Sequence, residues 1–241
     1  MATRLGFDTA IFDVDGTLID SNEAHAQAWT HALREHGVST DVARIRPLIG
    51  MGGDKLLPRA AGVSEDSPQG QAMARRKKAV FNELLPTLRP TRGARELVAF
   101  LRDSDVGLVV ATSADDREMG ALLERAGVAD LFDLHASKDD AAESKPDPDI
   151  VRAALRRAQA RPESSIMIGD TVYDIEAASG VHVPTIALRC GGYWSDADLR
   201  GAVKIFDDPA ALRHHLSATG LDRSLGIAVG LDGSPRTRDR E

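Results

Sequence analysis

Short apolar runs closed by turn-forming residues recur at residues 10–12, 106–111, 165–168 and 184–188, with segments of helical period between them. Buried strands alternating with helices predict a parallel α/β sheet whose connections cross over in the right-handed sense. Aromatic residues make up only 4% of the chain, so Ala, Val, Leu and Ile must fill its core, as they do in strands covered on both faces. Two weaker strands are expected at residues 131–134 and 203–206, each after a helical stretch. The expected fold is a doubly wound parallel sheet.

One gap breaks this rhythm. Between Asp20 and Pro90 no run reads as a strand, whereas residues 24–36, 41–48, 54–61 and 71–85 read as helices. Roughly seventy residues are too many for one crossover, so a helical cap inserted after the first strand is expected. The division is a core of residues 1–18 and 88–219, a cap of residues 19–87 and a C-terminal tail of residues 220–241. Hinges are expected at residues 18–21 and 86–90, where turn-prone residues and prolines cluster. The tail is Gly-rich and ends in PRTRDRE. Its run GIAVGLDGSP, from Gly226, resembles the opening strand and loop of universal stress proteins, but too few residues follow to build that domain.

Thirty basic and 37 acidic side chains leave a net charge of -7, a balance that does not invite nucleic acid. Cys190 is the only cysteine, so an intramolecular disulfide is excluded and a reducing compartment is expected. No segment approaches about 18 consecutive apolar residues, and the first residues do not read as a signal peptide. The expectation is a cytoplasmic protein that does not engage a membrane and is a monomer or weak homodimer.

The first strand runs straight into Asp13-Val14-Asp15-Gly16-Thr17, and the carboxyl ends of strands form the ligand crevice of open parallel sheets. Crowded carboxylates repel, and a cation or a shared proton relieves them. A turn at Gly16 is expected to aim Asp15 away from Asp13. The strand at residues 106–111 ends in Thr112-Ser113, whose hydroxyls and following N–H groups at a helix start would suit an oxyanion; Thr112 alone reads as a helix N-cap. Lys145-Pro146 follows, then Gly169-Asp170-Thr171-Val172-Tyr173-Asp174 after another strand. Read alone, Lys145 would be a surface lysine.

Together these segments resemble the haloacid dehalogenase superfamily, with its order of DxDGT, Thr or Ser, Lys and GDxxxD. The placement of the insertion resembles the helical-cap subgroup of phosphoglycolate phosphatases and β-phosphoglucomutases. The resemblance implies a Rossmann-like core and a phosphatase acting on a small phosphorylated metabolite. It implies Asp13 as nucleophile, Asp15 as general acid and base, and Thr112, Ser113 and Lys145 on the phosphoryl oxygens. Mg2+ would be held by Asp13, the Asp15 backbone carbonyl and Asp170. Asp174 would orient Lys145 or a metal-bound water, or serve as a helix N-terminal acid. Family members that cleave carbon–halogen bonds lack an acid at position 15, so its presence implies a phosphate ester. The alternatives are a β-phosphoglucomutase-like mutase and, further off, a phosphoacceptor signalling module, against which the cap and GDxxxD argue.

In the cap, an Asp20 or Ser21 cap is expected to open a helix on which His25 and Trp29 share one face. Either they pack within the cap or they touch substrate. The glycine-rich stretch through Gly52 reads as a specificity loop, with Lys55 pointing at the ligand. Arg75-Arg76-Lys77-Lys78 reads as a solvated helix face.

Overall fold

The computed structural model describes residues 6–219; the expected tail, with its run from Gly226, lies outside the described residues. In chain order the elements are β1 (Thr9–Phe12), β2 (Ile19–Asp20), α1 (Asn22–Glu35), α2 (Val42–Ile45), α3 (Gly53–Ala61), α4 (Pro68–Leu84) and β3 (Arg89–Pro90). There follow α5 (Ala94–Asp103), β4 (Gly107–Ala111), α6 (Asp116–Ala126), β5 (Leu134–Ala136), α7 (Asp149–Ala158), β6 (Ser165–Gly169), α8 (Val172–Ser179), β7 (Thr185–Leu188), β8 (Lys204–Phe206) and α9 (Pro209–Thr219).

Six strands form one sheet in the order β5-β4-β1-β6-β7-β8, parallel throughout. Their side chains alternate between two cores. Ala10, Phe12, Leu108, Val110, Ile166 and Ile168 face one side with residues of α5, α6 and α9, including Leu97, Leu122 and Leu212. Ile11, Val109 and Met167 face the other with residues of α7 and α8, such as Val151 and Ala177. Both faces are therefore covered, which is why these strands read as unbroken apolar runs. Each fully buried Leu, Ile or Phe contributes roughly 1.5–3 kcal/mol.

The weaker strand expected at residues 131–134 is displaced. A 3-10 turn occupies Ala129–Leu131, and pairing of Val109 with Leu134 starts β5 three residues later. The stretch expected to lack strands holds two short ones, β2 and β3, which pair antiparallel through Ile19–Pro90 and Asp20–Arg89. Two-residue strands carry too little periodicity to be read from sequence, and Pro90 is tolerated because the ribbon is all edge. Between them lies the helical cap. Trp29, Leu33, Ile45, Leu56, Leu57 and Met73 form a core of its own, while Ala24, Ala28 and Phe81 lie against the sheet's core. Among the described residues no helix is long and apolar enough to cross a membrane.

Candidate active site

β1 ends at Phe12, and the backbone N–H of Asp13 still donates to Ile168 of β6 at 2.9 Å. The chain then folds into a tight loop in which the N–H groups of Thr17, Leu18 and Ile19 all point at the Val14 carbonyl. Gly16 closes the loop at φ +76°, where a Cβ would stand 2.3 Å from both Asn22 Nδ2 and Asp170 Oδ2. The turn separates the two acids as expected. Asp13 faces Lys145, and Asp15 faces the cap.

Lys145 is 1% exposed, a buried lysine rather than a surface one. Its Nζ donates to Asp13 Oδ1 at 2.5 Å, Asp174 Oδ1 at 2.8 Å and the Ala111 carbonyl at 3.3 Å. Burial alone would lower its pKa, but Asp13 and Asp174 more than reverse that and keep it charged. Asp174 Oδ1 accepts from Lys145, and its Oδ2 closes a capping box with Thr171 at the start of α8. Thr17 Oγ1 lies 3.3 Å from both Asp13 Oδ2 and Asp170 Oδ1. Asn22 Nδ2 donates to Asp170 Oδ2 at 2.8 Å.

Carboxylate oxygens of Asp13, Asp170 and Asp174 lie within 4.8 Å of one another, and the Lys145 ammonium pairs with Asp13 and Asp174. Burial, with added repulsion from Asp174 and Asp15, pushes Asp13 up to about 7 despite Lys145. Burial and the neighbouring Asp13 and Asp174 raise Asp170 well above the usual carboxylate range. Such an excess of buried negative charge fits a hard, oxygen-seeking divalent cation. The Asn22 amide oxygen, buried without a partner beside the cluster, marks the site as polar and not yet saturated. Asp174, with three hydrogen bonds from Lys145 and Thr171, is the most heavily engaged of the three, and Asp13 and Asp170, with two each, are the carboxylates that could turn to an ion.

The cluster is walled by backbone. A Cβ on Gly191 would stand 1.8 Å from Asp170 Oδ2. Gly191→Ala is therefore expected to push that carboxylate aside and destabilise the fold by about 1–3 kcal/mol. A melting temperature equal to the parent's would contradict this packing.

Asp15 accepts from Ser21 Oγ at 2.5 Å and from His25 Nε2 at 2.8 Å. Burial would raise its pKa, yet His25, Ser21 and Lys77 together hold it at about 2. Ser21 does occupy the N-cap of α1, but its side chain makes no capping bond because its hydroxyl is given to Asp15. His25 also stacks on Phe81 at 3.9 Å, so it is a partner of Asp15 as well as a cap residue. Trp29 lies in the cap core, with an edge lining a small chamber beside Asp13 and Asp15.

That chamber is also lined by Gly52, Thr112, Ser113, Lys77 and Glu118. The helix expected directly after Thr112 begins later, at Asp116 with Asp115 as its N-cap, so Thr112 caps nothing. Its side chain, buried at the strand's end, accepts from the Ala114 N–H at 3.2 Å. Gly52 donates its N–H to Ser144 Oγ at 3.0 Å, which ties the cap loop to the core. Lys55 is a correction: instead of entering the chamber it pairs with Glu143 and with Asp147 at 2.9 Å.

Lys77, read from sequence as part of a solvated face, is the cap cation that does line the chamber. Its Nζ lies 4.8 Å from the Phe81 ring centre and 3.1 Å from Glu118 of α6. A signal existed: Gly70, Met73 and Phe81 are the buried residues of α4, and position 77 falls on their face. Asn22 and Glu118 carried no comparable signal, since their partners Asp170 and Lys77 are distant in the chain, and the loop that brings Ser21 back onto Asp15 is not written in any local pattern.

The family model for haloacid dehalogenase-like hydrolases matches residues 10–188. The chain belongs to that family. A probable phosphatase, IndB, from Dickeya dadantii is 30% identical over 86% of this chain and 93% of its own length. Phosphoglycolate phosphatase from Rhodospirillum rubrum is 29% identical over 93% of this chain and 98% of its own. Among solved structures, a hydrolase from Pseudomonas syringae superposes with a TM-score of 0.81 at 27% identity, covering 88% of this chain and 98% of that one. The protein is thus a phosphatase of the haloacid dehalogenase type, a phosphoric monoester hydrolase with a parallel α/β core and a helical cap.

Proposed function

We propose that this phosphatase hydrolyses the monoester of a small phosphorylated metabolite through an aspartyl-phosphate on Asp13, with Mg2+ held by Asp13, the Asp15 carbonyl and Asp170. The observation that carries the reading is the buried cluster of Asp13, Asp170 and Asp174 around Lys145 at the carboxyl ends of β1 and β6. Bound there, the ion offsets the charge between an anionic nucleophile and an anionic substrate.

Asp13 attacks phosphorus and the bond to the alcohol oxygen breaks. Lys145 orients the Asp13 carboxylate and, with Thr112 and Ser113, receives the phosphoryl oxygens. The departing oxygen takes its proton from the hydrogen-bonded Asp15–His25 pair. In the second half, Asp15 accepts a proton from the water that attacks phosphorus. This releases inorganic phosphate and restores Asp13. The cap, residues 19–87, swings about residues 18–21 and 86–90 to admit substrate.

Purified protein with Mg2+ is expected to release inorganic phosphate from p-nitrophenyl phosphate and to stop when the ion is chelated; failure to release phosphate would refute the reading. With a hexose 1-phosphate, free phosphate is expected. Accumulating 6-phosphate with little free phosphate would establish a mutase instead. Asp15→Asn is expected to cut kcat on an alkyl phosphate by about 10²–10⁴-fold. On p-nitrophenyl phosphate, whose leaving group needs no proton, the same variant should give a burst of nitrophenolate followed by slow turnover. Steady-state rates equal to those of the parent on both substrates would remove Asp15 from the proton path.

A further inference from the structure

Two spaces meet at Thr112 and Ser113, which line both. The inner one is the small chamber beside Asp13 and Asp15; the outer one is a cavity of about 450 Å³ between cap and core. Among the described residues lining the inner chamber, the basic side chains are His25 and Lys77, and each already has a carboxylate. His25 is bonded to Asp15. Lys77 lies 3.1 and 3.3 Å from the two oxygens of Glu118, and the pair is nearly enclosed, at 12% and 9% side-chain exposure. In the outer cavity Lys138 is held by Glu65 at 2.7 Å, and Arg75 stands exposed at a rim shared with Asp54, Asp66 and Glu143.

Resting on the phosphatase reading, we propose that the site prefers monophosphate esters of uncharged, hydroxyl-bearing alcohols over esters whose leaving group carries a carboxylate next to the phosphate. A carboxylate a bond or two from the ester oxygen would sit in the inner chamber between Asp15 and Glu118. To gain a cation it would have to take Lys77 from Glu118 and leave that acid enclosed and unpaired. A hydroxyl donates to Glu118 and accepts from Lys77 with the ion pair intact, while the Trp29 edge covers a carbon skeleton. The rest of a polyol or sugar extends past Ser113 into the outer cavity. Selectivity thus comes from the acid that neutralises Lys77, a repulsive element built against the wrong ester.

The test compares kcat/KM for glycerol 1-phosphate, sorbitol 6-phosphate and 2-phosphoglycolate, with p-nitrophenyl phosphate as a reporter of the chemistry itself. The parent protein is expected to favour the two polyol esters over 2-phosphoglycolate by about tenfold or more. Glu118→Gln, which keeps the shape and removes the charge, is expected to narrow that ratio by at least about fivefold, mainly through KM for 2-phosphoglycolate. Equal or better use of 2-phosphoglycolate by the parent, with p-nitrophenyl phosphate still cleaved, would overturn the inference while leaving the phosphatase reading standing. A Glu118→Gln ratio unchanged from the parent would overturn it equally. No turnover of any of the four would overturn the phosphatase reading and the inference with it.

Discussion

Asp13→Asn is expected to lower kcat by on the order of 10⁴-fold or more, because no other carboxylate in the cluster is free to take the phosphoryl group. Asp174 is spent on Lys145 and Thr171, Asp15 is turned to His25, and Asp170 is held by Asn22 and Thr17. The fold should survive. Asn fits the same space, and Lys145 keeps Asp174 as its partner. In the metal-free protein Asp13 takes up a proton on folding at pH values between its ordinary 3.8 and about 7, so it makes stability decline as pH rises through that window. The variant should lose this part of the decline, which thermal melts across that range would measure. Near-parental turnover by purified Asp13→Asn would show that phosphorus is attacked by another group.

Lys145→Met should produce the largest loss of stability. It leaves Asp13 and Asp174 facing each other in a buried space without their cation. Breaking a buried ion pair from one side costs roughly 3–5 kcal/mol, on the order of 10 °C in Tm for a chain of this size. The deficit should shrink at low pH, because Asp13 and Asp170, both raised above the ordinary carboxylate range, then take protons. Adding Mg2+ should also recover part of it, since the ion replaces some of the missing positive charge. A melting temperature within about 2 °C of the parent at neutral pH would mean that the ammonium is not what holds these acids together.

Much of the frame was legible in the chain because burial on both faces writes itself as unbroken apolar runs. β1, β4, β6 and β7 lie where those runs were read, and the helical periods at residues 24–36, 41–48, 54–61 and 71–85 fall on the inserted helices α1 to α4. The groups at strand ends were legible for a related reason: Asp13, Thr112 and Asp170 each follow a strand whose end is sharply marked. Partners that meet only in space were not. Lys77 was hidden inside a run of four basic residues, three of which do face outward or toward acids on the core's rim, and its value depends on Glu118, 41 residues away. Lys55 was misplaced because the acids that capture it, Glu143 and Asp147, lie in a loop whose position follows from packing rather than from any local pattern. Ser21 looked like a helix cap because composition cannot distinguish a hydroxyl bonded to its own helix from one bonded to Asp15.

The short ribbon at Ile19–Asp20 and Arg89–Pro90 fixes where the inserted helices depart and return, side by side at the spacing of paired strands, about 4.8 Å. Any helical segment whose two ends meet at that spacing could be grafted there without shifting the register of the six-stranded sheet. Through such exchanges a lineage could recruit new metabolites while its reaction chemistry stayed untouched.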